Sequence, residues 1–227
     1  MRVLLISNSG RPFLEHCRAT MARFLGEERR IGFVTAASYA DEPGYHTMAR
    51  SALAPAGIEV IHLPLESSPI ARLAEVQAVF IGGGNTYHLL ARLHACGIVL
   101  PLAARVRDGM PYIGSSAGSN VAGPNILTTN DWNVDGTARF DALNLVPFNI
   151  NPHYRETDPV MAPGSETRDE RIEQYLVAQD NPVVGIEEET CIECDAGTFT
   201  VVGRGRAKRF VRGRAPQWFA AGDRIVW

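Results

Sequence analysis

Short apolar runs alternate with amphipathic segments along the first half of the chain, and this alternation constrains the fold more than any other feature. The runs are VLLIS (3–7), IGFVTAA (31–37), IEVIHL (58–63), AVFIGGG (78–84) and PYIGS (111–115). Between them lie stretches with helical periodicity, His16 to Leu25, Tyr45 to Leu53, Pro69 to Glu75 and Thr86 to Leu93. Strands of this length separated by helices predict βαβ units and a parallel sheet. The runs are apolar at successive positions rather than alternate ones, which predicts strands covered on both faces. The fold class expected is therefore α/β, a three-layer sandwich around a mostly parallel central sheet.

A chain of 227 residues with 45% hydrophobic content can bury a full core as one domain, 1–227. No repeat, linker or low-complexity tract divides it. From Pro124 to Pro163 the chain is rich in Asn, Asp and Pro, which predicts long loops of the kind that usually carry function. A helix is expected from Glu166 to Ala178. The segment VVGIEEETCIECDAGTFTVVG (183–203) reads as strands, with Asp195-Ala196-Gly197 as a hairpin turn. The tail adds short strands whose arginines and lysine are expected on a solvated edge.

A net charge of -3 gives no footing for nucleic acid or an anionic membrane surface. No apolar stretch reaches the ~18–20 residues of a membrane span. Val3 to Ile6 is shorter than the ~7–15-residue apolar region of a secretory signal. A soluble, cytoplasmic protein is expected. Four cysteines in a chain this long do not form a disulfide scaffold. Cys191 and Cys194 make a C-x-x-C, but on a strand a spacing of three sends the two sulfurs to opposite faces. With no second pair at metal-ligand spacing, they are expected to be structural, and no metal site is expected.

The chemistry gathers at YIGSSAGSN (112–120). A strand runs into two serines and a turn of small residues. A tight turn alone could account for the small residues. Alternatively, Gly114 and Gly118 flank Ser116 as G-x-S-x-G, the pattern of a strained strand-to-helix turn that exposes a nucleophilic hydroxyl. Such a serine needs a base, normally a histidine oriented by a third group. Six histidines are present. His16, His88 and His94 fall in helical patterns and His62 in a strand, where bland roles are favoured; His46 is undecided. His153 follows Pro152 in the irregular segment NINPHYRET, where a fixed loop can present an imidazole in one orientation. Asp131, in TTNDWN, and Glu188, in GIEEET at a strand end, could each take the imidazole N–H. An oxyanion needs backbone donors, one at Ala117 and a second from IGGGNT (81–86). A phosphate cradle is the other use of such glycines, but neither dinucleotide nor P-loop spacing is present.

In order and spacing, LLISNS, GGGNTYHLL, YIGSSAGSNVA, TTND, FDALNLVPFNINPHY and ETRDERI resemble the peptidase E, or aspartyl dipeptidase, family from residue 3 to about 195. Its relatives include cyanophycinase, and its fold is similar to the class I glutamine amidotransferase domain. The resemblance implies a serine-type hydrolase that cleaves dipeptides with N-terminal aspartate and uses neither metal nor cofactor. It implies Ser116 as nucleophile, His153 as base and Glu188 as orienting acid, the last aligned by its distance from Gly185. Asp131 is implied as a supporting group, Gly84 as the second oxyanion donor beside Ala117, and Asn85 and Arg168 as substrate-binding residues. A homodimer is implied as well. Ser115 departs from the pattern, standing where tryptophan is common. Two rival readings are a cyanophycinase-like exopeptidase acting on β-linked aspartyl polymers and a binding protein with a decayed site. Intact Ser116, His153 and Glu188 speak against decay.

Overall fold

In the computed structural model, which describes residues 1–156 and 164–227, the five apolar runs form adjacent parallel strands. They are β1 (Arg2–Ile6), β2 (Arg30–Val34), β3 (Glu59–His62), β4 (Ala78–Ile81) and β5 (Tyr112–Ser115). Pairing of β1 with β5, β5 with β4, β4 with β2 and β2 with β3 sets their order. Beyond β1 the sheet continues through antiparallel strands β8 (Thr190–Asp195), β9 (Thr198–Gly203) and β12 (Arg224–Ile225). The eight-stranded order is β12-β9-β8-β1-β5-β4-β2-β3. The expected mostly parallel central sheet is present.

Alternation along each strand divides the core into two layers. Leu4, Ile6, Phe33, Phe80 and Ile113 face α1 (Arg18–Leu25) and α2 (Glu42–Leu53). Val3, Leu5, Val79, Ile81 and Tyr112 face α4 (Thr86–Ala95) and α5 (Val99–Arg107). Both sets are buried, which is why the strands carry apolar residues on both faces. Among the described residues the remaining α-helices are the single turns α3 (Pro69–Arg72) and α6 (Ala117–Asn120), and α7 (Arg168–Ala178). Helix α2 begins three residues before the expected Tyr45, because Asp41 caps it by accepting from Gly44 N at 2.9 Å and Pro43 fits its first turn. Helix α5 escapes the sequence reading because Pro101 looks like a breaker. It lies in the first turn, where the missing N–H has no intrahelical partner to lose.

Cys191 and Cys194 lie on β8, and the expected opposite facing is observed: Cys191 packs with the α1–α2 layer and Cys194 with the α4–α5 layer. Burial raises both thiols, so neither is poised as a thiolate.

A second sheet has the order β11-β10-β7-β6, from β11 (Gln217–Phe219), β10 (Ala207–Phe210), β7 (Val183–Ile186) and β6 (Asn149–Asn151). It overturns the expectation of a solvated basic edge in the tail. Lys208 and Arg209 sit on β10, an interior strand between β7 and β11, at 4% and 7% exposure. Buried there, the cations need partners. Lys208 Nζ meets Asp169 Oδ2 at 2.5 Å and Glu156 Oε1 at 2.8 Å, and lies 5.1 Å from the Trp218 ring. Burial alone would lower the lysine pKa, but these two carboxylates outweigh it and raise the value. Arg209 donates to Val226 O and to Gln217 Oε1. Lys208→Met is therefore expected to cost about 3 kcal/mol in urea unfolding, because it leaves Asp169 without its cation. A loss below about 1 kcal/mol would mean that the pair contributes no more than a surface one.

Candidate active site

The site lies at the carboxyl ends of β1, β4 and β5, where parallel sheets open crevices. Ser116 follows β5 directly and has φ 52°, ψ −108°, a strained conformation for a residue with a side chain. Its flanking glycines are required by close backbone approach. A Cβ on Gly114 would lie 2.3 Å from Gly118 O, and one on Gly118 would lie 2.1 Å from Ile81 O. The backbone of the turn is held by Ser116 N donating to Ile6 O at 3.0 Å.

Ser116 Oγ lies 2.8 Å from His153 Nε2, and His153 Nδ1 lies 2.7 Å from Glu188 Oε1. Hydrogen bonding to His153, working against desolvation, lowers the Glu188 pKa, so the carboxylate is ionised and can only accept. Nδ1 must therefore donate to it, which leaves Nε2 of the neutral ring to accept from the serine hydroxyl. His153 itself has φ 54° and is pinned from two sides. Its N–H donates to Ser7 Oγ at 2.9 Å, Ser7 Oγ donates to Ile186 O at 2.8 Å, and Tyr154 N donates to the same carbonyl at 2.9 Å. The three consecutive glutamates have separate partners. Glu187 pairs with Arg206 and Glu189 with Arg204, each at 3.0 Å, and only Glu188 bonds the histidine.

Asp131 stands elsewhere. Its Oδ2 accepts from Thr86 N at 2.8 Å, Thr86 Oγ1 at 2.6 Å and Thr129 Oγ1 at 3.1 Å. It thus caps α4 and ties the 127–132 segment to the glycine turn. That turn passes against Ser116: a Cβ on Gly83 would lie 3.2 Å from Ser116 Cβ. Gly84 has φ +141°, and a Cβ there would lie 2.2 Å from Ala37 O, so only glycine fits. Gly83 N donates to the Tyr45 hydroxyl at 2.9 Å. Among the described residues, no hydrogen bond occupies the N–H of Gly84 or of Ala117.

Asn85 caps α4, accepting from His88 N at 3.0 Å, and its amide donates to Trp132 O at 2.9 Å. Arg168 opens α7 and donates to Asn151 Oδ1 at 3.1 Å. It lines a cavity of about 280 Å³ with Asn130, Asp131, Trp132, Asn151 and Tyr175. Asn130 donates to Pro152 O at 3.0 Å, so one wall of the cavity joins the backbone beside His153. The other histidines have local roles. His46 and His62 stack on each other, His88 bonds Asp135, His94 bonds Asp141 O, and His16 packs against Gly10. Ser7, Asn130, Asn151 and Tyr45 escape the sequence reading. Only Ser7 carries a signal, a hydroxyl at the carboxyl end of a parallel strand.

A serine, a histidine and a carboxylate hydrogen-bonded in line at the carboxyl end of a parallel α/β sheet are the equipment of a serine-type hydrolase. The chain belongs to peptidase family S51, whose family model matches residues 3–202. It is similar to peptidase E of Streptomyces coelicolor, with 42% identity over 226 residues, covering 98% of this chain and 93% of that protein. It is 39% identical over 214 residues to a probable alpha-aspartyl dipeptidase of Drosophila melanogaster, covering 92% of this chain and 89% of the relative. In fold it resembles a peptidase from an acI-B1 Actinobacterium, with a TM-score of 0.74, 18% identity and coverage of 100% and 96%. Among the described residues no single helix is long and apolar enough to cross a membrane.

Proposed function

We propose that this protein hydrolyses dipeptides bearing an N-terminal aspartate, through an acyl-enzyme on Ser116. The observation that carries this reading is the array Ser116–His153–Glu188, with links of 2.8 and 2.7 Å. Ser116 Oγ attacks the aspartyl carbonyl carbon while its proton passes to His153 Nε2. The carbonyl π pair moves onto oxygen, where Gly84 and Ala117 donate to it. Collapse of this intermediate breaks the C–N bond, and His153 returns the proton to the leaving amine. A water, deprotonated by the same nitrogen, then cleaves the ester and frees aspartate. Glu188 holds the tautomer and balances the imidazolium charge throughout. Asp131 and Asn85 seat the turn that carries Gly84 and the segment bordering the substrate cavity.

The names of the relatives, peptidase E and probable alpha-aspartyl dipeptidase, support the substrate class. Four unpaired cysteines accord with a reducing, cytoplasmic setting. Incubation with Asp-Leu, a β-aspartyl dipeptide and an aspartyl-arginine polymer tests the reading. Cleavage of Asp-Leu is expected to dominate; preference for the β-linked substrates would assign the protein to cyanophycinase-like chemistry instead.

An aspartyl side chain loses water on entering the site and needs a cation or donor there. Arg168, lining the cavity next to the His153 loop, is assigned that role. A charge-assisted hydrogen bond contributes about 1.5–3 kcal/mol, so Arg168→Met is expected to reduce kcat/KM for Asp-Leu by about ten- to a hundredfold. The gap between Asp-Leu and Asn-Leu should narrow, since the amide needs no cation. An equal loss on both substrates would remove Arg168 from recognition.

A further inference from the structure

The glycine turn beside the nucleophile offers two neighbouring N–H groups, those of Gly83 and Gly84, and a single phenol engages the first. Gly83 N donates to Tyr45 Oη at 2.9 Å. Tyr45 projects from α2, its ring edge-on to Phe13 at 5.8 Å and to Phe33 at 5.1 Å. The hydroxyl presses against the turn, for a Cβ on Gly82 would lie 2.7 Å from it. Burial raises the Tyr45 pKa, so the group is a neutral phenol. The Ser9 hydroxyl neighbours the phenol, and Ser9 Oγ lies 2.9 Å from Ser115 Oγ. Ser115 is fully buried and immediately precedes Ser116. Tyr45 thus ties α2 to the turn that faces Ser116, and the Ser9–Ser115 pair lies next to that contact.

We propose that Tyr45 is a positioning residue that fixes the Gly83–Gly84 peptide so that Gly84 N–H points at the developing oxyanion. The inference rests on the serine-peptidase reading. Oxyanion donors act only within about 2.7–3.1 Å of the oxyanion, and a peptide with an unsatisfied N–H rotates toward another acceptor. Removing the phenol oxygen orphans Gly83 N–H within the site, and the turn loses the contact that sets its tilt. The serine at position 115 fits this arrangement, because a large aromatic side chain there could not make the hydroxyl contact with Ser9.

Tyr45→Phe keeps the ring and its edge contacts and removes only the oxygen. It is expected to lower kcat for Asp-Leu by about ten- to a hundredfold, short of the roughly 10²–10³ for deleting an oxyanion donor, with KM within about threefold of wild type. An aspartyl aldehyde, which forms a tetrahedral adduct, should bind more weakly by the same factor as kcat, while free aspartate binds as before. Phe13→Leu loosens the same ring packing without touching the hydroxyl and is expected to lower thermal stability with kcat retained. Unchanged kcat in Tyr45→Phe, or an equal fall in Phe13→Leu, would overturn the positioning role while wild-type cleavage of Asp-Leu left the function standing. Absence of wild-type cleavage would overturn both.

Discussion

Ser116→Ala is expected to lower turnover of Asp-Leu by about 10⁶-fold, and Ser115→Ala by no more than about tenfold. Removing the nucleophile from a triad costs nearly everything except what binding and oxyanion donors supply. Both serines are hydroxyls at the end of the same strand, and the G-x-S-x-G pattern selects Ser116 without showing which oxygen reaches a base. Geometry does. Ser116 Oγ lies 2.8 Å from His153 Nε2, whereas Ser115 is fully buried and its hydroxyl meets Ser9. The loss at position 115 is that of one buried hydrogen bond, about 0.5–1.5 kcal/mol. Initial rates of both variants, with circular dichroism to verify folding, decide the matter. Comparable losses would mean that the turn, rather than one oxygen, is what the reaction needs.

Glu188→Gln is the second large effect, an expected fall of about 10⁴ in kcat with KM nearly unchanged. Glutamine fits the same space, but its amide presents a donor as well as an acceptor to Nδ1. The ring can then settle in the tautomer that points a proton at Ser116, and the imidazolium loses its counter-charge. The effect should not follow from Glu187→Gln or Glu189→Gln, whose partners are Arg206 and Arg204. Asp131→Asn is expected to act differently. Its carboxylate holds Thr86 and Thr129, so the change should loosen the glycine turn and the adjoining segment, with about a tenfold loss in kcat/KM, mainly through KM. If Asp131→Asn removed kcat at constant KM while Glu188→Gln was mild, the orienting role would pass to Asp131.

The central sheet was legible because its strands are buried on both faces, which leaves an uninterrupted apolar run at each. The second sheet was legible only as separate short strands, at 183–186 and in the tail, and not as a sheet. Strand β6 is the tripeptide Asn149-Ile150-Asn151, and β10 carries Lys208 and Arg209, whose partners Asp169 and Gln217 come from separate elements. Charged residues on a short strand read as surface until those partners are placed. At the site, Ser116 was marked by glycines that steric contact demands, and His153 by the proline before it. Glu188 and Asp131 could not be ranked from the residues themselves. Distinguishing them required knowing that Arg204 and Arg206 take the flanking glutamates, and that Asp131 reaches Thr86 across 45 positions. Tyr45 gave no signal at all, since a tyrosine with helical spacing reads as core, and its ring is indeed packed there.

An activated aspartyl ester tests the acyl-enzyme claim most directly, because its good leaving group makes the first step fast and lets the covalent intermediate accumulate. The protein is mixed with the ester, quenched in acid within the first turnover, digested and mapped by mass spectrometry. The expected result is a burst of released alcohol matched by one aspartyl group on the peptide containing Ser116, with neither burst nor adduct in Ser116→Ala. Steady hydrolysis of the ester with no adduct, or an aspartyl group carried by any other residue, would contradict a mechanism built on Ser116.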